Sequence, residues 1–112
     1  MQDYVNQFLN KMSNIAQMSM IDCDSYSIVR KHLELANGSK ISIQASNTHY
    51  CTPRGWRPPY TEVEVWADKG LAEYLDAVTG EGWYKDAFEE EPFTNISVKH
   101  VNDYIETVGG VK

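Results

Sequence analysis

Residues 33–46 read Leu-Glu-Leu-Ala-Asn-Gly-Ser-Lys-Ile-Ser-Ile-Gln-Ala-Ser and combine a tight-turn signal with alternating apolar side chains. Asn37 and Gly38 tolerate the positive φ angles that a two-residue hairpin turn requires. After the turn, every second residue is apolar, as in a strand with one buried face. The residues of that apolar face are Ile41, Ile43 and Ala45. The stretch therefore predicts a β-hairpin.

The segments around this turn are predicted to form an antiparallel sheet. Residues 27–35 and 40–46 supply the two hairpin strands, and residues 62–66, Glu-Val-Glu-Val-Trp, alternate in the same way and supply a third. An alternative interpretation makes residues 25–38 a helix that ends at Gly38. That helix would leave the strand at residues 40–46 without its hairpin partner.

Helical periodicity flanks the sheet on both sides. Apolar residues at steps of three and four predict an amphipathic helix within residues 1–21, a short helix at residues 71–78 ended by Gly80, and a C-terminal helix ended by Gly109-Gly110. Asn95 or Ser97 is expected to cap the last helix. Residues 80–92 have no clear period and allow a short strand.

The predicted fold is accordingly α+β in a single domain of residues 1–112, with an N-terminal helix, an antiparallel sheet of three or more strands and a C-terminal helix. Residues 1–21 form the first helix and residues 27–67 hold the strands, with a candidate binding loop at residues 47–61. Residues 71–112 hold the remaining helices and the C-terminal element. A chain of 112 residues has room for one modest core.

Composition limits the expected partners. No apolar run approaches the ~18 residues of a membrane span, and no secretory signal precedes the first helix, so we expect no membrane partner and a cytoplasmic location. In such a reducing compartment, Cys23 and Cys51 are expected to be free thiols. The net charge of −6 opposes binding to duplex nucleic acid.

The loop at residues 47–61 holds three of the four prolines beside arginine and aromatic side chains, a composition that indicates binding. Guanidinium groups hold phosphate or carboxylate through paired hydrogen bonds, and aromatic rings stack on flat rings. The candidate ligand-binding residues are His49, Tyr50, Arg54, Trp56, Arg57 and Tyr60. In the structural alternative, Trp56 and Tyr60 close the open end of the sheet and the arginines pair with glutamates such as Glu62.

Other chemistry is weakly supported by the sequence. His49 and Cys51 would share one face of an extended strand, so an imidazole could activate the thiol, but no orienting third group is evident. We therefore expect no enzyme activity and no catalytic residue. The paired spacings of zinc sites and the phosphate-loop and dinucleotide motifs are absent from the sequence, so neither a metal nor a cofactor is expected.

The sequence also resembles a group of small, mostly uncharacterised accessory proteins encoded by tailed bacteriophages and prophages. The resemblance lies in Ile-Ser-Ile-Gln-Ala-Ser at residues 41–46, His-Tyr-Cys-Thr-Pro-Arg at 49–54, Tyr-Thr-Glu-Val-Glu-Val at 60–65 and the final Gly-Gly-Val at 109–111. It covers about residues 33–111. The chain departs from the group after Val65, where Trp-Ala-Asp replaces a Gly-Phe-Pro type of continuation.

The resemblance implies a protein that acts in the host cytoplasm against bacterial immunity. Together with the loop chemistry, it favours a protein that sequesters a nucleotide-derived immune signal, cyclic ADP-ribose-like or a cyclic oligonucleotide, without catalysis. An exposed apolar side of the first helix is expected to join copies into a homo-oligomer. The alternative is an inhibitor that binds a host defence protein, with the acidic residues 86–91 meeting a basic nucleic-acid groove and the loop serving a structural role.

Overall fold

A computed structural model, which describes residues 2–112, contains two antiparallel sheets, four α-helices and a short 3-10 helix at Met12–Asn14. A four-stranded sheet has the spatial order β3-β4-β5-β6, and β1 and β2 form a separate two-stranded sheet. The strands are β1 (Ile15–Asp22), β2 (Ser25–Arg30), β3 (Leu33–Glu34), β4 (Lys40–Gln44), β5 (Glu62–Trp66) and β6 (Phe93–Ser97). The helices are α1 (Tyr4–Asn10), α2 (Lys69–Thr79), α3 (Tyr84–Ala87) and α4 (Val98–Thr107). The predicted α+β fold is confirmed.

The turn at Asn37 and Gly38 joins β3 to β4 as predicted. Leu33 lies opposite Ile41 in the antiparallel register, and Gly38 has a φ of +89°, which a glycine adopts at low cost. The first hairpin strand is much shorter than the predicted residues 27–35, however. Residues 25–30 form β2 and pair with β1 instead of β4.

The N-terminal helix is also shorter than predicted. It ends at Asn10 because Lys11 is extended, with φ −84° and ψ 119°, and the helix predicted for the rest of residues 11–21 is wrong. Residues 15–22 form β1, which pairs with β2 across a turn at residues 23–24. Ala16, Met18 and Met20 fit a two-residue period as well as a helical one, and pairing with β2 selects the strand.

The core lies between the four-stranded sheet and the helices. In both central strands, alternate side chains point into this core, and α1, α2 and α4 each contribute an apolar stripe to it. Its fully buried members include Val5, Ile43, Val63, Val65, Leu71, Leu75, Val101 and Ile105. Because β4 and β5 are central, the segment that joins them leaves the sheet directly beside the core.

Helix ends in the second half follow local signals. Asp68 caps α2 by accepting a hydrogen bond from the backbone N–H of Leu71 at 2.8 Å, and the helix ends at Gly80 with φ +77°, as predicted. Residues 80–92 contain the short helix α3, not the short strand that the sequence allowed. Strand β6, at Phe93–Ser97, was not predicted.

Among residues 2–112, no helix is both long enough and apolar enough to cross a bilayer.

Candidate functional site

The loop at residues 47–61 lies within the connection from β4 to β5 and folds back onto the start of β5. The backbone N–H of Thr52 donates to the carbonyl of Glu62 at 3.0 Å, and that of Thr61 donates to the carbonyl of Thr52 at 2.7 Å. The peptide bonds before Pro53 and Pro59 are cis. The backbone pairing at Thr52 therefore fixes the root of the loop, and residues 53–60 project from it.

Tyr60 lies on the inner side of the loop, in the core. Its side chain is 2% exposed, and its hydroxyl donates to the carbonyl of Gly55 at 2.8 Å. The side-chain amide of Asn6 accepts from the backbone N–H of Tyr60 at 2.7 Å and donates to its carbonyl at 3.0 Å. The prediction that Tyr60 stacks on a ligand is therefore wrong, because its ring is enclosed by the core that it closes.

The other arginine and aromatic residues of the loop form two stacked pairs. The guanidinium carbon of Arg54 lies 4.7 Å from the centre of the Tyr50 ring, and that of Arg57 lies 3.9 Å from the Trp56 ring. These distances are within the range of cation–π attraction. Tyr26 of β2 packs edge-on against Trp56, with ring centres 5.0 Å apart. We call Tyr50, Arg54, Trp56 and Arg57 the arginine platform.

The two platform arginines are not neutralised by carboxylates within residues 2–112. The ion pairs of that part of the chain all involve lysines, and Glu62 accepts hydrogen bonds from Thr52 at 2.8 Å and from Asn95 at 3.4 Å instead. The alternative in which the arginines pair with glutamates such as Glu62 is therefore wrong. Both arginines are exposed, so their N–H groups face solvent.

His49 and Cys51 are held by polar neighbours at the loop's root. The Nδ1 atom of the half-buried His49 is 2.7 Å from the hydroxyl of Ser46, and burial, with the nearby positive charge of Arg30, lowers the pKa of His49. The thiol of Cys51 donates to the carbonyls of Ser46 and Pro53 at 3.3 and 3.4 Å, and burial raises its pKa. A raised pKa disfavours the thiolate, so Cys51 has the environment of a packing residue.

Arg30 is a buried polar residue that the sequence prediction missed. It is 3% exposed, and its guanidinium donates to the carbonyl of Leu9 at 3.2 Å and to that of Ala45 at 2.5 Å. Burial lowers its pKa, but a guanidinium remains charged at any pH where the protein is folded. Arg30 thus ties α1, β2 and the end of β4 together below the loop. Its spacing of two from the buried Ile28 was the signal that could have revealed it.

Two side-chain amides join β2 to the end of β4 and so bring Tyr26 to the platform. The amide of Gln44 accepts from the backbone N–H of Arg30 at 2.8 Å and donates to its carbonyl at 2.9 Å. Asn47 accepts from the N–H of Tyr26 at 3.0 Å through its side chain and donates to its carbonyl at 3.3 Å through its backbone. These bonds replace a regular strand ladder.

The platform lies outside the best-formed cavities of residues 2–112. The three cavities described among residues 2–112 have volumes of 640, 530 and 340 Å³, and none of them is lined by a platform residue. The 640 Å³ cavity lies between α1 and the C-terminal segment, where Phe8, Leu33 and Val111 contribute to it. In the same part of the chain, no three His, Cys, Asp or Glu side chains are grouped to hold a metal ion.

Comparison with known proteins provides no relative for this chain. No protein-family model matches it, and neither a curated protein nor a solved structure matches it. The fold and the arginine platform define its class. It is an α+β domain in which the loop between β4 and β5 holds two guanidinium groups, each stacked on an aromatic ring.

Proposed function

We propose that the protein is a phage-type counter-defence protein that sequesters a nucleotide-derived immune signal without catalysis. The observation that carries the proposal is that Arg54 and Arg57 are exposed and have no carboxylate partner within residues 2–112. The chain has 16 acidic and 10 basic residues, yet within residues 2–112 neither arginine forms an ion pair. Each guanidinium is instead held over an aromatic ring with its N–H groups available to an anion.

The chemistry of the platform suits a ligand with several phosphates and a flat ring. An arginine binds phosphate through two parallel charge-assisted hydrogen bonds, and stacking on Tyr50 or Trp56 limits the guanidinium's freedom before the ligand arrives. Tyr50 is 53% exposed and can offer its ring to a base. Cyclic ADP-ribose-like molecules and cyclic oligonucleotides have both features. The proposed setting is the host cytoplasm.

A site outside a well-formed cavity buries little of a small ligand, whereas most small-molecule sites are concave. We therefore propose that the protein acts as a homo-oligomer, in which a second copy can provide further cover for the ligand. The resemblance to phage accessory proteins supports the counter-defence role, and the platform chemistry supports the nucleotide. His49, half-buried and bonded to Ser46, positions the start of the loop in this proposal.

Replacing Arg54 and Arg57 with alanine is expected to remove nucleotide binding. A ligand present at ~100 times its dissociation constant stabilises the wild-type protein by ~2.7 kcal/mol, which a thermal-shift screen of cyclic and linear nucleotides detects. Each lost charge-assisted hydrogen bond costs about 1.5 to 3 kcal/mol, or roughly a 10- to 100-fold loss of affinity. Calorimetry on Arg54→Ala and Arg57→Ala with the nucleotide found in the screen measures that loss.

Lys85→Ala is the matched control for this experiment, because it removes an exposed positive charge from α3 and leaves the platform intact. It should bind the nucleotide as the wild type does. Arg54→Lys keeps the charge and removes the planar fork, and we expect an affinity between those of wild type and Arg54→Ala. Unchanged affinity in both alanine variants, or no thermal shift with any nucleotide, would contradict the proposal.

A second candidate function is inhibition of a host defence complex by protein binding. It is favoured by the surface after α3, where Glu89, Glu90 and Glu91 are all exposed and form no ion pair within residues 2–112. Trp83 stacks on Tyr84 nearby and is 43% exposed. Consecutive carboxylates beside an exposed aromatic ring could occupy a basic nucleic-acid groove.

Reversing the charge of residues 89–91 to lysine separates the two candidates. If the acidic surface acts, this triple variant should lose protection of phage by at least tenfold, measured as plating efficiency on strains that each carry one defence system. Arg54→Ala should then protect as well as the wild type. The opposite result, full protection by the triple variant and none by Arg54→Ala, rejects the acidic surface and supports signal sequestration.

A further inference from the structure

The β1–β2 hairpin has an open edge along β1. β1 pairs with β2 on one side, and within residues 2–112 no strand pairs with it on the other. The other side of β2 is occupied by Gln44 and Asn47, as described above. Alternate residues of an antiparallel strand direct their N–H and C=O groups away from the partner strand. β1, the longest strand with eight residues, therefore presents unpaired backbone groups.

Between its two register shifts, this edge carries neither of the sequence features that most often prevent pairing with another chain, charge and proline. Natural edge strands carry lysine, proline or inward-pointing charges, whereas residues 12–21 contain no charged residue and no proline. Large apolar side chains are exposed along the same segment. They are Met12, Met18, Met20 and Ile21, with exposures of 74%, 41%, 65% and 53%. Several large exposed apolar side chains within one short segment favour a protein contact.

The charges at the two ends of the hairpin point to a second copy of this chain as the occupant. Asp22 and Asp24 lie at its tip, and Lys11 and Lys31 lie at its base. All four are exposed, and none forms an ion pair within residues 2–112. Antiparallel pairing of two β1 strands would place the acidic tip of each copy beside the basic base of the other. Parallel pairing of the two β1 strands would place the two acidic tips beside each other and the two basic bases beside each other.

We propose that β1 pairs with β1 of a second copy about a two-fold axis, to form a four-stranded sheet of order β2-β1-β1-β2. The proposal concerns the assembly of the chain and does not depend on the ligand of the arginine platform. Such an isologous contact closes on itself, so it produces a dimer and does not extend into a polymer. The predicted homo-oligomer contact thus lies on a strand, where the sequence had suggested a helix.

The hairpin register limits where the axis can lie. Residues directly opposite each other in antiparallel strands share a face, so a two-fold axis perpendicular to the sheet lies midway between the two β1 strands, level with a residue that faces its own copy. The regular part of β1 lies between the register shifts at residues 15–17 and 20–22, which centres the axis at Met18 or Ser19. Either choice places Met18 and Met20 of both copies on one face. The unbranched methionine side chains can then pack against one another.

A reciprocal charge swap tests the pairing. We expect the wild type to show twice the monomer mass of 12.8 kDa in sedimentation equilibrium without ligand. Asp24→Lys and Lys11→Asp should each raise the dimer dissociation constant at least tenfold at about 50 mM salt, where charges are weakly screened. The double variant should return it to within about threefold of wild type. Residues 11 and 24 lie at opposite ends of the hairpin, so restoration requires contact between copies.

Disulfide trapping locates the axis. In a Cys23→Ala background, Ser19→Cys or Met18→Cys should form a covalent dimer under mild oxidation, because Cβ atoms of a directly opposed pair lie about 4.5 to 5.5 Å apart. Lys85→Cys, on α3, is the matched control and should stay monomeric in a non-reducing gel. A wild type that remains monomeric up to millimolar concentration, or a double charge variant that fails to restore the dimer, overturns the proposal. Nucleotide binding is measured separately, so either outcome leaves the proposed function open to its own test.

Discussion

Replacing Arg30 with alanine is expected to lower the free energy of unfolding by about 3 to 5 kcal/mol, a large share of the 5 to 15 kcal/mol typical of a domain. The guanidinium donates to the carbonyls of Leu9 and Ala45, and each charge-assisted hydrogen bond contributes about 1.5 to 3 kcal/mol. The substitution also leaves a cavity, since the side chain is almost fully buried. Urea denaturation followed by circular dichroism measures the change.

Two further variants separate the contributions at this site. Arg30→Met keeps most of the buried stem but cannot donate, so its loss of stability reports the hydrogen bonds with little added cavity. His32→Ala, two residues away and exposed, should change the free energy of unfolding by no more than about 0.5 kcal/mol. A loss below 1 kcal/mol in Arg30→Ala would show that Arg30 does not hold α1, β2 and β4 together.

The parts of the fold that could be predicted are those specified by nearby residues. Asn37 and Gly38 form the turn that their backbone preferences require, β5 alternates as its sequence does, and Gly80 ends α2. Residues 15–21 were mispredicted as helix because their apolar positions fit two periods, and only pairing with β2 distinguishes the strand from the helix. The link from β2 to β4 could not be predicted, since the amides of Gln44 and Asn47 make it and no strand pattern encodes it.

In the candidate site too, contacts between residues close in sequence could be predicted and contacts between distant residues could not. Trp56 and Arg57 are adjacent in sequence and Tyr50 and Arg54 are four residues apart, so pairing them required only that the loop be short and ordered. Tyr60 belongs to the same run of residues but lies in the core. Its position depends on hydrogen bonds with Asn6, 54 residues earlier in the chain. A contact of that range leaves no periodic signal in the sequence.

Stability is expected to fall between pH 10 and 12 as Tyr104 loses its proton. Tyr104 of α4 is 6% exposed, and burial, with the charge of Asp68, whose Oδ1 lies 3.5 Å from the phenol oxygen, raises the pKa of Tyr104 to about 12. The α2 backbone at Gly70 packs directly against the hydroxyl and leaves no space for a side chain there. Because water is largely excluded, the phenolate is poorly solvated in the folded protein.

The direction of this pH dependence follows from the raised pKa. An unfolded tyrosine titrates near pH 10, so the folded protein holds the Tyr104 proton more tightly than the unfolded chain does. The contribution of Tyr104 to the free energy of unfolding is therefore complete below pH 10 and is lost as the pH rises through 12. Two pKa units correspond to roughly 2.7 kcal/mol, the most that wild type should lose through this group. Tyr104→Phe lacks the proton and should be close to wild type at pH 7 but lose less stability between pH 10 and 12. Urea denaturation of both proteins at each pH measures the difference. Parallel stability curves for the two proteins over that range would mean that the Tyr104 phenolate is solvated and that α2 and α4 separate before it forms.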